Sequence, residues 1–117
     1  MKYLNYANTD DKVSQLCLGA MLMGTSLDQT DSEIVLDDFL ENGGNFIDTA
    51  NCYAWWRGQE YVGDESELVL GKWMKARGNR DKIFLATKAG ARIKNLKNLH
   101  KPDGDMHWDR IPDELQG

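Results

Sequence analysis

Two short apolar runs, NFID at 45–48 and KIFLAT at 82–87, each follow a segment with helical spacing, and this alternation constrains the fold most. The runs are nearly continuous in apolar character rather than alternating. Such strands belong to parallel sheets covered on both faces or closed into a barrel. A third run, KVSQLCLGAML, spans about 13–22 ahead of the first helical segment. The order is therefore strand, helix, strand, helix, strand, and each helix-length crossover implies a right-handed βαβ unit.

The first helical segment, SEIVLDDFLEN, covers about 32–42. Val35 pairs with Phe39 and Leu36 with Leu40 at i,i+4, which lays an apolar stripe along one side. Asp31 or Ser32 can cap its start, and Gly43 and Gly44 can supply the left-handed turn that ends it. The second segment, ESELVLGKWMKAR, covers about 65–77, with Val69–Trp73 and Leu70–Met74 pairs. Asp64 is the expected cap, Lys75 and Arg77 favour the C-terminal end, and Gly78 stops it. Gly71 costs about 1 kcal/mol against alanine in mid-helix. It reads either as a close approach of this helix to a sheet or as a tolerated glycine.

Active sites of parallel α/β architectures lie at the carboxyl ends of the strands, where the loops converge. That rule selects Gly19, Ala20 and Met21, then Asp48, then Lys88, with Tyr53, Trp55 and Trp56 on the loop after the second strand. Taken singly, a strand-end Asp is an ordinary turn residue, a loop Tyr ordinary packing and a Lys ordinary surface. Together they describe a proton donor. A free tyrosine has a pKa near 10. A neighbouring ammonium favours the tyrosinate and makes the phenol a better acid, and a carboxylate beside the lysine fixes its direction. Such a group can protonate a carbonyl oxygen that becomes an alkoxide.

Composition excludes other classes. The chain has 117 residues, 41% apolar and 28% charged, which is the size and balance of one globular domain. Its net charge of −5 argues against nucleic acid or anionic membrane as a partner. The basic run Arg92, Lys94, Lys97 and Lys101 reads as a solvated loop. No apolar stretch reaches the roughly 18 residues of a membrane span, and the amino terminus lacks a secretory apolar centre. Cys17 and Cys52 have neither CxxC spacing nor a disulfide framework, so they read as buried free thiols in a reducing cytoplasm, and no metal site is expected.

KVSQLCLGAMLMG, ENGGNFIDTANCYA, ESELVLGKWMK and DKIFLATKAG resemble the aldo-keto reductase family, over residues 1–90. The resemblance implies a (β/α)8 TIM barrel, of which this chain would hold the first three or so parallel strands and two covering helices. It implies binding of NADP(H) without a Rossmann motif, and a small-molecule aldehyde or ketone as substrate. In the family's pattern Tyr53 is the general acid, Lys88 lowers its pKa, and Asp48 pairs with Lys88 and approaches the nicotinamide ribose. Gly19, Ala20 and Met21 match the segment beneath the nicotinamide, and Ala20 stands where threonine is more usual. Trp55 and Trp56 fall in the region that lines the substrate pocket.

From 91 to 117 the chain is polar, holds both prolines and reads as a loop leading toward a third helix. His100 and His107 fall there and read as solvated, so neither fills the family's fourth catalytic position, a histidine. A complete barrel takes about 250 residues. The expectation is an N-terminal portion of a longer reductase, inactive alone and needing a C-terminal barrel half or partner chain. The alternative is a non-catalytic or partner-completed regulatory or interaction subunit of the same superfamily.

Overall fold

The computed structural model describes residues 1–51 and 63–88. Among these described residues eight elements follow one another: β1 (Tyr3–Asn5), β2 (Lys12–Ser14), β3 (Cys17–Gly19), α1 (Gln29–Glu41), β4 (Phe46–Asp48), α2 (Glu65–Arg77), a 3-10 turn (Arg80–Lys82) and β5 (Phe84–Ala86).

Strands β3, β4 and β5 form one parallel sheet in chain order. Cys17 is level with Phe46 and Phe84, Leu18 with Ile47 and Leu85, and Gly19 with Asp48 and Ala86. Because side chains alternate along a strand, Leu18, Ile47 and Leu85 share one face. There they meet Leu36, Phe39 and Leu40 of α1 and Val69, Leu70, Trp73 and Met74 of α2, forming the core. Ile47, Leu36 and Trp73 are fully buried, each such burial stabilising by about 1.5–3 kcal/mol. Cys17, Gly19, Phe46, Asp48, Phe84 and Ala86 point to the other face, as the inner wall of a barrel requires.

α2 has the bounds its sequence predicts. Gly78 takes the left-handed conformation (φ 61°, ψ 36°) and donates to the Met74 carbonyl at 2.8 Å. Asp64 precedes the helix but makes no side-chain cap bond. Gly71 is exposed, and a methyl group there would meet nothing within 4 Å, so the close-approach reading is set aside. The two helices are laced by Asp37, which accepts from Trp73 Nε1 at 2.7 Å and from the Arg77 guanidinium at 2.8 and 3.1 Å.

α1 begins three residues before the expected 32, capped by Asp28, whose carboxylate accepts from the Asp31 amide at 2.8 Å. Ser32 is instead buried, and Val35 lies on the exposed side. The segment 26–32 offers several capping side chains in succession, and packing chooses among them.

The run at 13–22 is two strands rather than one. Lys12–Ser14 pairs antiparallel with Tyr3–Asn5, and only Cys17–Gly19 joins the parallel sheet. The hairpin docks against the amino end of β4. Asn45 accepts from the Ser14 amide at 2.7 Å and donates to the Lys12 carbonyl at 2.8 Å, while Tyr3 Oη donates to the Gly43 carbonyl at 2.6 Å. Tyr6 extends the contact to the inner face, its ring 4.7 Å from Phe84 and 6.2 Å from Phe46. The hairpin thus occupies the end opposite Asp48.

Candidate active site

Asp48 ends β4, and Lys88 follows β5 by two residues. Lys88 Nζ donates to Asp48 Oδ1 and to the Thr49 carbonyl, both at 2.8 Å. Thr49 in turn donates its amide to the Ala86 carbonyl at 2.8 Å, and Asn51 donates to the Lys88 carbonyl at 3.2 Å, so β4 and β5 stay zipped past their ends. The ion pair is in contact with solvent, its side chains 51% and 42% exposed. Pairs this wet contribute about 0–1 kcal/mol to stability. Its effect is to aim an ammonium, through charge-assisted hydrogen bonds, at one rim of the sheet.

Beneath the pair lies a buried chain of hydroxyls. Ser66, in the first turn of α2, donates to the Ala20 carbonyl at 2.7 Å. A serine hydroxyl has one proton, so Thr49 Oγ1, 2.7 Å from Ser66 Oγ, is the donor of that second bond. Ala20, Thr49 and Ser66 are all fully buried. The Ala20 amide also donates to the Asp48 carbonyl at 2.9 Å. Neither Thr49 nor Ser66 is singled out by sequence reasoning about charge. The signal was available: alternation turns Thr49 away from Asp48, toward the helices.

The loop after β3 is held close by a glycine. Gly24 (φ +86°) donates to the Leu27 carbonyl at 2.7 Å, and a Cβ there would stand 2.8 Å from the Glu65 carbonyl oxygen. Gly19 lies on the open inner face, Ala20 is buried under α2, and Met21 is exposed. Tyr53, Trp55 and Trp56 lie outside the described residues, as do Cys52, His100, His107 and the polar segment from 91 onward. Cys17 is exposed on the inner face rather than buried as expected, because strand alternation turns it away from the helices. Its thiol is pushed up from the ordinary range, by partial desolvation first and by the Asp48 carboxylate next, with Lys88 opposing. Among the described residues no group of three or more His, Cys, Asp or Glu could hold a metal ion, and no helix is long and apolar enough to cross a membrane.

A three-stranded parallel sheet with both helices on one face makes the chain part of a (β/α)8 barrel. It belongs to the aldo/keto reductase family, whose model matches residues 15–116. Norsolorinic acid reductase B of Aspergillus parasiticus is 47% identical over 87 residues, which are 68% of this chain and 21% of that protein. The uncharacterized oxidoreductase YrpG of Bacillus subtilis is 38% identical over 89 residues, 75% of this chain and 26% of that one. Among solved structures, aldo-keto reductase AKR11C1 from Bacillus halodurans (holo form) superposes with a TM-score of 0.64 at 36% identity, over 80% of this chain and 28% of that one. The chain thus spans about a fifth to a quarter of the length of these relatives.

Proposed function

We propose that this chain carries the proton-transfer portion of an NADP(H)-dependent reductase acting on small aldehydes or ketones. The observation that carries the reading is the Lys88–Asp48 contact at the carboxyl ends of β4 and β5. Tyr53, on the segment leaving β4, is the general acid of this reading: its phenol gives a proton to the carbonyl oxygen as that oxygen gains charge. The Lys88 ammonium favours the tyrosinate and so makes the phenol more acidic. Asp48 keeps the ammonium turned toward the rim. When bound, NADPH supplies the hydride. Gly19 supports the fit of a flat nicotinamide ring, since a Cβ at that position would have nothing within 4 Å. Gly19 and Met21 with Asp48 would hold that end of the cofactor, with the fully buried Ala20 backing them rather than touching it, and Trp55 and Trp56 would line the substrate side. The reaction takes place in the cytoplasm, and further barrel strands complete the site.

The test has two arms. The isolated 117-residue chain is expected to oxidise NADPH, with a panel of simple aldehydes, far below the roughly 10 per second of a typical enzyme. A chimera in which this chain replaces the matching amino-terminal segment of norsolorinic acid reductase B is expected to turn over. In that chimera Tyr53→Phe and Lys88→Met should each lower kcat by at least about a hundredfold. A chimera that works equally well with both substitutions would sink the reading.

A further inference from the structure

We propose that Thr49 and Ser66 are positioning residues for Lys88, setting the direction of its ammonium through the Thr49 carbonyl; the role in catalysis rests on the reductase reading above. Lys88 has a flexible four-carbon stem and a half-exposed side chain, so polar contacts rather than close packing direct its head. Its partners include two acceptors among the described residues, the Asp48 carboxylate and the Thr49 carbonyl. The first is a side chain that can rotate. The second is part of the main chain, and its direction is set by whatever fixes residue 49.

The Thr49 amide is tied to the Ala86 carbonyl of β5, and the side-chain half of the fixing comes from α2. The Thr49 hydroxyl donates to Ser66, which spends its single proton on the Ala20 carbonyl. No water competes, because all three residues are fully buried. The order of donors is therefore determined: alanine at 66 would leave the buried Thr49 hydroxyl without its acceptor, and valine at 49 would release residue 49 from α2. The next residue of the same helical turn grips the neighbouring strand: Glu67 accepts from Thr87 Oγ1 at 2.6 Å, immediately before Lys88. The first turn of α2 thus holds the exits of both β4 and β5, and the lysine between them inherits its aim.

Competitive labelling of lysine amines with trace acetic anhydride, read by peptide mass spectrometry on the native 117-residue chain, tests this without any need for turnover. The measured quantity is the labelling rate of Lys88 relative to exposed Lys72. In the wild-type chain Lys88 should label more slowly than Lys72. Thr49→Val and Ser66→Ala should each raise the ratio by about threefold or more, the loss of part of a charge-assisted hydrogen bond. Thr49→Ser, which keeps the hydroxyl, should leave it unchanged. The double variant should go no further than either single one, since both break one chain. A merely structural role would lower the melting temperature while leaving the ratio alone.

Three results would overturn the proposal: a wild-type Lys88 as reactive as Lys72, an unchanged ratio in helical Thr49→Val and Ser66→Ala chains, or Thr49→Ser shifting it as Thr49→Val does. If Thr49→Val fails to fold, Ser66→Ala carries the test, and an unchanged ratio in it overturns the proposal. An inactive chimera would count against the reductase reading and leave the labelling result standing.

Discussion

The Lys88 ammonium and the Asp48 carboxylate meet at 2.8 Å although 40 residues separate them. Their meeting follows from strand register. Asp48 is level with Ala86 across β4 and β5, which carries Lys88 just past the rim. A slip of one residue would turn one partner to the helix face.

Because this pair is half in solvent, Asp48→Asn should cost less than about 1 kcal/mol of stability. In the chimera the same change should lower kcat by about tenfold or more. Urea unfolding beside NADPH-dependent reduction checks both numbers. A large stability loss with unchanged turnover would make the pair structural.

Cys17 reports on the same charges. Its thiol is held above the usual range by partial burial, then by Asp48, with Lys88 acting oppositely. Thiolate is the reactive form, so iodoacetamide at mildly alkaline pH should alkylate Cys17 more slowly than free cysteine. Asp48→Asn should speed the reaction and Lys88→Met should slow it further. Opposite orders would mean that the pair does not face Cys17.

Two glycines should respond with opposite signs. Gly71 is exposed with open space around it, so Gly71→Ala should stabilise the chain by about 0.5–1 kcal/mol. Gly24 has positive φ and sits against the Glu65 backbone, which has no flexible end to yield. Gly24→Ala should therefore destabilise by about 1–3 kcal/mol or more. Thermal unfolding of the two variants side by side would show the contrast.

The Asp37 carboxyl is held below the usual carboxylate range by hydrogen bonds from Arg77 and then Trp73. A depressed folded pKa means that its contribution to stability is present above the unfolded value of about 3.9 and fades as pH falls through the lower folded value. Urea midpoints should fall as pH drops below about 4 in the wild-type chain. Asp37→Asn should flatten that part of the fall, and added salt should shrink the difference, because the group is exposed. An identical acid limb in the variant would assign it to other carboxylates.

Local chemistry along the chain was enough for the parallel class, for both helices and for one helix's two ends. Asp64 marks the first end by position although it makes no side-chain cap bond, and Lys75, Arg77 and the left-handed Gly78 mark the other, all signals acting within a turn or two. Asp48 and Lys88 could be picked as strand-end residues on the same basis, because parallel strands bring their carboxyl ends to one rim. What needed three dimensions was choice among equivalents and contact across distance. Asp28 rather than Asp31 caps α1, because core packing selects one of several capable side chains. The amino-terminal hairpin has strands of three residues and exists through Asn45, Gly43 and the Phe46–Phe84 pair, none of which is its near neighbour in the chain. The bonds from Thr49 to Ser66 and onward to Ala20 join a strand exit, a helix start and a second strand exit. A hydroxyl shows no distinctive pattern in one dimension; its meaning here comes from burial, which removes water and leaves a single partner for each proton.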